Sequence, residues 1–204
     1  VGGDLYDIVR LDADRLMVVL GDVSGKGSPA ALLMALLLAM LRTLAPDDLP
    51  PPTLVARLNR LVYEQAPGAR FITFFLAIID LRTGGLTYVN AGQTPPLLRR
   101  RDGAIEKLTT GGIALGMFDQ STYEQAETHL APGDLLVAYS DGITEAEDRS
   151  GRPFDEDGLE RAIQTYGSSP APDLTSTLFT VVEQHADDTK LADDLTVVVV
   201  KRTD

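Results

Sequence analysis

The chain is 204 residues long, 44% hydrophobic and 24% charged, with a formal net charge of −12 and no cysteine. Such a chain can bury one substantial core, and its acidity argues against a nucleic-acid partner, because phosphate backbones are met by basic surfaces. The missing cysteine excludes disulfides, thiolate zinc sites and a cysteine nucleophile.

In chain order, Leu5 to Leu11 and Arg15 to Val23 read as two strands joined by the turn Asp12-Ala13-Asp14. A hairpin there would bring Asp4 close to Asp22. The second strand runs into Gly21-Asp22-Val23-Ser24-Gly25-Lys26-Gly27. This is no P-loop, which needs four residues between its glycines and then Lys-Ser/Thr; Asp22 is therefore the residue to explain, and Lys26 reads as solvent-facing. Pro29 to Leu44 is helical and apolar on nearly every face, with Ser28 as the expected N-cap. The apolar run Ala30 to Leu41 is shorter than the roughly 20 residues of a membrane span. No secretory signal is visible, so a cytoplasmic protein without membrane contact is expected.

After the break at Ala45 to Pro52, Thr53 to Gln65 carries Leu54, Leu58, Leu61 and Val62 at helical spacing. Phe71 to Leu81 and Leu86 to Ala91 are strands. Leu97 to Arg101 and Ala104 to Leu108 form a hairpin about Asp102-Gly103, with Arg99-Arg100-Arg101 as a solvated edge or a contact for an acidic partner. Gly111 to Gly116 is a glycine-rich bend. Strands at Tyr123 to His129 and Asp134 to Tyr139 are joined by Ala131-Pro132-Gly133, and Ser140-Asp141-Gly142 closes the second. Ile143 to Asp157 reads as acidic and irregular, followed by helices Glu156 to Tyr166 and Asp173 to His185. Leu195 to Val200 is β-branched in the manner of a central strand. The two histidines, His129 and His185, read as surface or core-edge residues. Strands, two helices, hairpins, two helices and a strand predict antiparallel sheets with outer helix pairs.

Four expected strand ends thus carry acids: Asp4, Asp22, Asp141, and Asp193 with Asp194. Carboxylates gathered without matching cations repel, and a bound cation would relieve them. All-oxygen ligation suits Mg²⁺ or Mn²⁺, and two such ions about 3.5–4 Å apart can direct water onto phosphorus. The pattern supports a hard-cation site without naming a reaction.

The segments Gly2–Asp7 (GGDLYD), Gly21–Gly27 (GDVSGKG), Asn90–Pro96 (NAGQTPP), Ser140–Ala146 (SDGITEA) and Asp193–Val200 (DDLTVVVV) resemble those of PPM-type metal-dependent serine/threonine phosphatases, specifically the bacterial SpoIIE-like branch. The resemblance spans nearly the whole chain. It implies an α+β fold, a four-layer αββα sandwich of two antiparallel sheets flanked by helix pairs, over a single domain 1–204. Two Mn²⁺ or Mg²⁺ ions are expected in the active enzyme. Asp22 takes the place of the carboxylate that bridges them and positions the attacking water. Asp4 and the carbonyl of Val23 match ligands of one ion, Asp141 and Asp193 those of the other, with Asp194 and Gly142 beside them.

Two departures stand out. Gln93 occupies a place that holds histidine in many relatives, and Ser24 stands where eukaryotic relatives have the histidine thought to protonate the leaving alcohol, so that group is left open. The resemblance further implies a phosphorylated anti-sigma-factor antagonist as substrate, in partner-switching control of sigma factors or stress response. It also implies an upstream sensor or receiver domain, in keeping with an opening at Val1 inside a strand-and-turn motif, and it leaves room for a homodimer. Two alternatives stay open: a catalytically idle binding module, and a phosphatase for small molecules.

Overall fold

The computed structural model describes residues 2–65, 70–187 and 193–203. In chain order the elements are β1 (Asp4–Arg10), β2 (Arg15–Val23), α1 (Ser28–Leu44), α2 (Pro51–Gln65), β3 (Ile72–Asp80), β4 (Gly85–Ala91), β5 (Leu97–Arg99), β6 (Ile105–Lys107), β7 (Gly111–Gly112), β8 (Ala126–His129), β9 (Leu135–Tyr139), α3 (Asp141–Thr144), α4 (Asp155–Tyr166), α5 (Ala171–Ala186) and β10 (Val197–Lys201). They fall into two compact units, Val1–Pro95 with Leu108–His129, and Pro96–Lys107 with Leu130–Asp204.

The first unit holds a sheet ordered β1-β2-β3-β4-β7, with β8 also pairing β4. Its middle strands bury both faces: Met17, Val18, Val19 and Leu20 of β2 are at most 1% exposed. On α1, Ala30, Leu33, Leu37, Leu41 and Leu44 recur every three or four residues and pack with Leu54, Val55, Leu58 and Val62 of α2 into one core. A bidentate pair ties β1 to α1: Arg42 donates from Nε to Asp7 Oδ2 at 2.7 Å and from Nη2 to Oδ1 at 2.8 Å. Ser28 is the first helical residue and makes no capping bond; Gly27, at φ 87°, precedes it instead. Helix α2 begins at Pro51, two residues before the expected start, because a proline gives up nothing in the first turn. From Ser28 to Asp47 the helical run is 20 residues, so length and apolarity alone would allow a membrane span, contrary to the expectation from Ala30 to Leu41; its spaced leucines are those of a core helix.

The second unit holds a sheet ordered β10-β9-β5-β6. Leu97, Leu135, Val137 and Tyr139 pack there with Leu159 and Ile163 of α4 and Leu174, Leu178 and Val182 of α5. Strands β8 and β9, adjacent in sequence across Ala131-Pro132-Gly133, belong to different sheets. Their burial tells them apart: β8 alternates half-buried and exposed, while every residue of β9 is buried. The valine run of β10 lies at a sheet edge, not in its centre. β-Branched composition reports what covers the two faces of a strand, and is silent about its hydrogen-bonding edges. The segment after Ser140 is not wholly irregular, since α3 opens it.

The arginine triplet is not simply solvated. Arg100 donates to Asp134 Oδ2 at 3.0 Å and pairs with Glu106 at 2.8 Å. Asp134, 3% exposed, also accepts the backbone N–H of Arg101 at 2.8 Å and of Ala131 at 3.1 Å. Burial pushes its pKa up, but the Arg100 guanidinium and the two amides outweigh this and hold it below 3.8. Since the folded value lies below the unfolded one, this stabilisation is complete above about pH 4 and is lost as pH falls through the folded pKa. Asp134→Ala should therefore cost about 2–3 kcal/mol at neutral pH, read as a lower denaturation midpoint in urea. The deficit relative to the parent should shrink on acidification below pH 4.

Candidate metal centre

In the first unit the register sets Asp4 directly opposite Asp22. Val23 donates its N–H to the Gly3 carbonyl at 3.1 Å. Positions 3 and 23 are thus a hydrogen-bonded pair, and by alternation 4 and 22 are a non-hydrogen-bonded pair, in which Cα atoms come to about 4.5 Å and side chains are closest. Both aspartates are half-buried. The backbone of Gly3 is pressed against them: a Cβ built there would lie 2.8 Å from the Val23 carbonyl oxygen and 2.9 Å from Asp22 Oδ1. Val23 is 1% exposed, and among the described residues its carbonyl accepts no hydrogen bond. Two carboxylates and a buried, unsatisfied carbonyl make an all-oxygen set that fits a hard divalent ion.

In the second unit Asp141 opens α3, and Gly142 is packed onto the segment before β10. A Cβ on Gly142 would stand 3.3 Å from Asp193 Cβ and clash outright with the Asp194 carbonyl oxygen, at 2.1 Å. Ser140 laces the same strands: its N–H donates to the Thr196 carbonyl at 3.0 Å, its Oγ accepts from the Thr196 N–H at 3.1 Å and donates to the Asp194 carbonyl at 3.3 Å. Asp141 is half-buried, Asp193 exposed, and Asp194 half-buried with its N–H held by Asp193 Oδ1 at 2.9 Å. Asp193 lies four residues before β10 rather than at its end. Among the described residues no three His, Cys, Asp or Glu side chains form one group that could hold an ion. The acids come as two groups, Asp4 with Asp22 in the first unit and Asp141, Asp193 and Asp194 in the second.

Around the first pair, Lys26 is exposed, as expected. The Asn90-Ala91-Gly92-Gln93 turn is a buried scaffold: Asn90 Nδ2 donates to the carbonyls of Gln93 and Leu108, each at 3.0 Å, and Asn90 Oδ1 accepts the Gln93 N–H at 2.8 Å. One residue has no counterpart in the sequence reading. Arg70 Nη1 donates to the Ser24 carbonyl at 2.6 Å, two residues beyond Asp22. Nothing in its sequence neighbourhood marks it, because the contact crosses from the start of β3 to the end of β2. His185, as expected for a core-edge residue, shares Nε2 with the Arg152 carbonyl at 3.0 Å and packs edge-on against Phe154.

Residues 12–203 match the family described as stage II sporulation protein E (SpoIIE). The chain belongs to the SpoIIE family. It is 30% identical over 203 residues to phosphoserine phosphatase RsbU of Bacillus subtilis, a match covering 99% of this chain and 60% of RsbU. The crystal structure of the RsbU and RsbW domains of Rv1364c from Mycobacterium tuberculosis superposes with a TM-score of 0.83 at 28% identity, covering 100% of this chain and 57% of that one. The SiaA-PP2C domain of Pseudomonas aeruginosa gives 0.85 at 20% identity over 98% of this chain and 80% of that one, a likeness of fold. The chain is accordingly a PPM-type serine/threonine phosphatase domain of the SpoIIE-like branch, with the α+β fold of PP2C domains. It spans about 60% of RsbU.

In this SpoIIE-family domain Gly142 sits at a close backbone approach beside the second group of acids. Gly142→Ala should separate α3 from the 193–196 segment and lower the thermal midpoint by several degrees, since a backbone oxygen cannot swing aside as a side chain can. A melt matching the parent within a degree would show that the approach is looser than the geometry requires.

Proposed function

We propose that this domain hydrolyses phosphoserine or phosphothreonine on a regulatory protein, using two divalent ions held by Asp4, Asp22, the Val23 carbonyl, Asp141 and Asp193. The observation that carries this reading is the opposition of Asp4 and Asp22 beside the unsatisfied Val23 carbonyl. PP2C-type phosphatases are metal-dependent, and Mn²⁺ or Mg²⁺ is the ion that such oxygens suit. When bound, the ions supply activation of water for in-line attack on phosphorus and neutralise the charge that develops there.

The chain's own part is positional. The β1–β2 ladder fixes Asp22 against Asp4, and Gly3 keeps the space between them clear of a side chain. Ser140 and Gly142 hold Asp141 to the segment of Asp193 and Asp194, which support it from beside. No covalent phosphoenzyme is required, in keeping with the absence of cysteine.

The likeness to a phosphoserine phosphatase supports a phosphoprotein substrate. We assign it to the class of small anti-sigma-factor antagonists, so that the reaction would serve partner switching and stress signalling in the cytoplasm. An upstream sensor or receiver domain would govern the activity, with a homodimer as the assembly. The test is turnover of p-nitrophenyl phosphate and of a phosphoserine protein with Mn²⁺, for the parent and for Asp22→Asn. The expected outcome is a fall of at least about 10³-fold in kcat for the variant, loss of parent activity with a chelator, and a preference for the phosphoprotein over free phosphoserine. Equal turnover by parent and variant would refute the hydrolytic reading and favour a binding module. A preference for free phosphoserine would identify a small-molecule enzyme.

A further inference from the structure

We propose that Arg70 is a substrate-binding residue whose guanidinium takes the phosphoryl group presented beside Asp4 and Asp22, an inference that rests on the phosphatase reading above. The geometry is built in detail. Ser24 donates its N–H to the Phe71 carbonyl at 2.9 Å, and its Oγ accepts the Phe71 N–H at 2.9 Å. These two bonds clamp the start of β3 onto the loop that follows Asp22 and Val23. Arg70, the residue just before the clamp, turns its guanidinium back onto that loop, where Nη1 meets the Ser24 carbonyl at 2.6 Å.

Gly25 makes the approach possible. A Cβ there would lie 2.3 Å from Arg70 Nη1, and its φ of +90° is a conformation that side chains rarely adopt. The glycine of the loop therefore has two jobs, the turn and the admission of a cation.

What the guanidinium does with its remaining donors is the decisive point. It carries five N–H groups in a planar fork, of which a single neutral carbonyl uses one. Arg15 is matched to Asp12 and Asp48, Arg42 to Asp7, and Arg100 to Glu106 and Asp134, whereas Arg10 and Arg99, like Arg70, donate to backbone carbonyls, Arg10 from an exposed position beside its own turn. Arg70 forms no ion pair among the described residues, although it is half-buried in a chain of net charge −12. A strut for the loop would need one bond. A fork anchored at one corner, with the rest uncommitted, is the arrangement that binds a phosphoryl dianion through two parallel bonds. Its anchor, Ser24, lies two residues after Asp22, so the fork is held on the loop that leaves the first acid pair.

The experiment compares the parent with Arg70→Gln and Arg70→Lys, each loaded with Mn²⁺. Inorganic phosphate is titrated calorimetrically into each protein, the kinetics of p-nitrophenyl phosphate are split into KM and kcat, and melts are recorded. Loss of a charge-assisted fork should weaken phosphate binding and raise KM for Arg70→Gln by about tenfold or more. Arg70→Lys should recover part of the binding through its charge, and the melting temperatures should agree within a few degrees. Phosphate affinity and KM within twofold of the parent would overturn the assignment. So would a lowered kcat with unchanged phosphate affinity and a lowered melt, which is the signature of a loop strut. A parent without turnover would fail the phosphatase reading instead, and the phosphate titration would still decide Arg70: no phosphate bound by the parent, or equal binding by the variants, overturns it.

Discussion

The register of β1 against β2 is the constraint on which the candidate centre depends. It is imposed by burial. Met17, Val18, Val19 and Leu20 are all at most 1% exposed, and each contributes about 1.5–3 kcal/mol by leaving water. The phase is set by β1, where Leu5 and Asp7 are buried while Tyr6 and Ile8 are 61% and 50% exposed, so a slip of one residue against the buried β2 would turn the buried set of β1 outward. Facing two half-buried carboxylates across a narrow pair costs far less, about 1 kcal/mol where water still screens them. The apolar strand therefore wins, and the acids are carried into opposition by a neighbour they do not influence. The oxygen set is a consequence of core packing, which is why it can be rigid without being stable in itself.

Close backbone approach is the second device, used in both units for the same end. Gly3 and Gly142 each sit where a methyl group would strike a carbonyl oxygen. In each case an acid follows within one residue of the glycine or precedes it: Asp4 after Gly3, Asp141 before Gly142. Gly3 leaves room for Asp4 to stand opposite Asp22, and Gly142, next to Asp141, lies against the segment of Asp193 and Asp194. Asp-Gly at a strand end is a turn signal in any protein; here the contacts of the missing side chain show that the same dipeptide also sets an interatomic spacing.

This bears on what could be read from the sequence. The hairpin that joins Asp4 to Asp22 was legible because its two strands are adjacent in the chain and share one turn. The α1 and α2 packing faces were legible because helical periodicity is a property of a single segment. Three features were not. Strands β8 and β9 share a turn and yet part to different sheets, since a strand's partner is chosen by faces the sequence does not display together. The valine run of β10 has the composition of a central strand, whereas edges are a matter of who hydrogen-bonds to whom. Arg70 is the third: it meets Ser24 across 46 residues of chain, and no local pattern encodes such a meeting.

The fate of the arginines draws these strands together. Arg100 lies in a triplet that looks like a solvated edge, but the structure spends it on holding the buried carboxylate of Asp134 at the start of β9. Arg42 is mostly exposed, yet its fork grips Asp7, whose Oδ1 also accepts the N–H of Ile8 on the outer side of β1. That second bond occupies a donor that an edge strand would otherwise offer to another chain. In both places the cation completes a local requirement and is thereby removed from chemistry. Arg70 differs from these two, because what it grips is a neutral carbonyl that needs no charge to be satisfied. Structural economy would place a neutral donor there. A permanent positive charge held on the loop that follows Asp22, with most of its fork unspent, is explained by a negatively charged visitor more simply than by the fold.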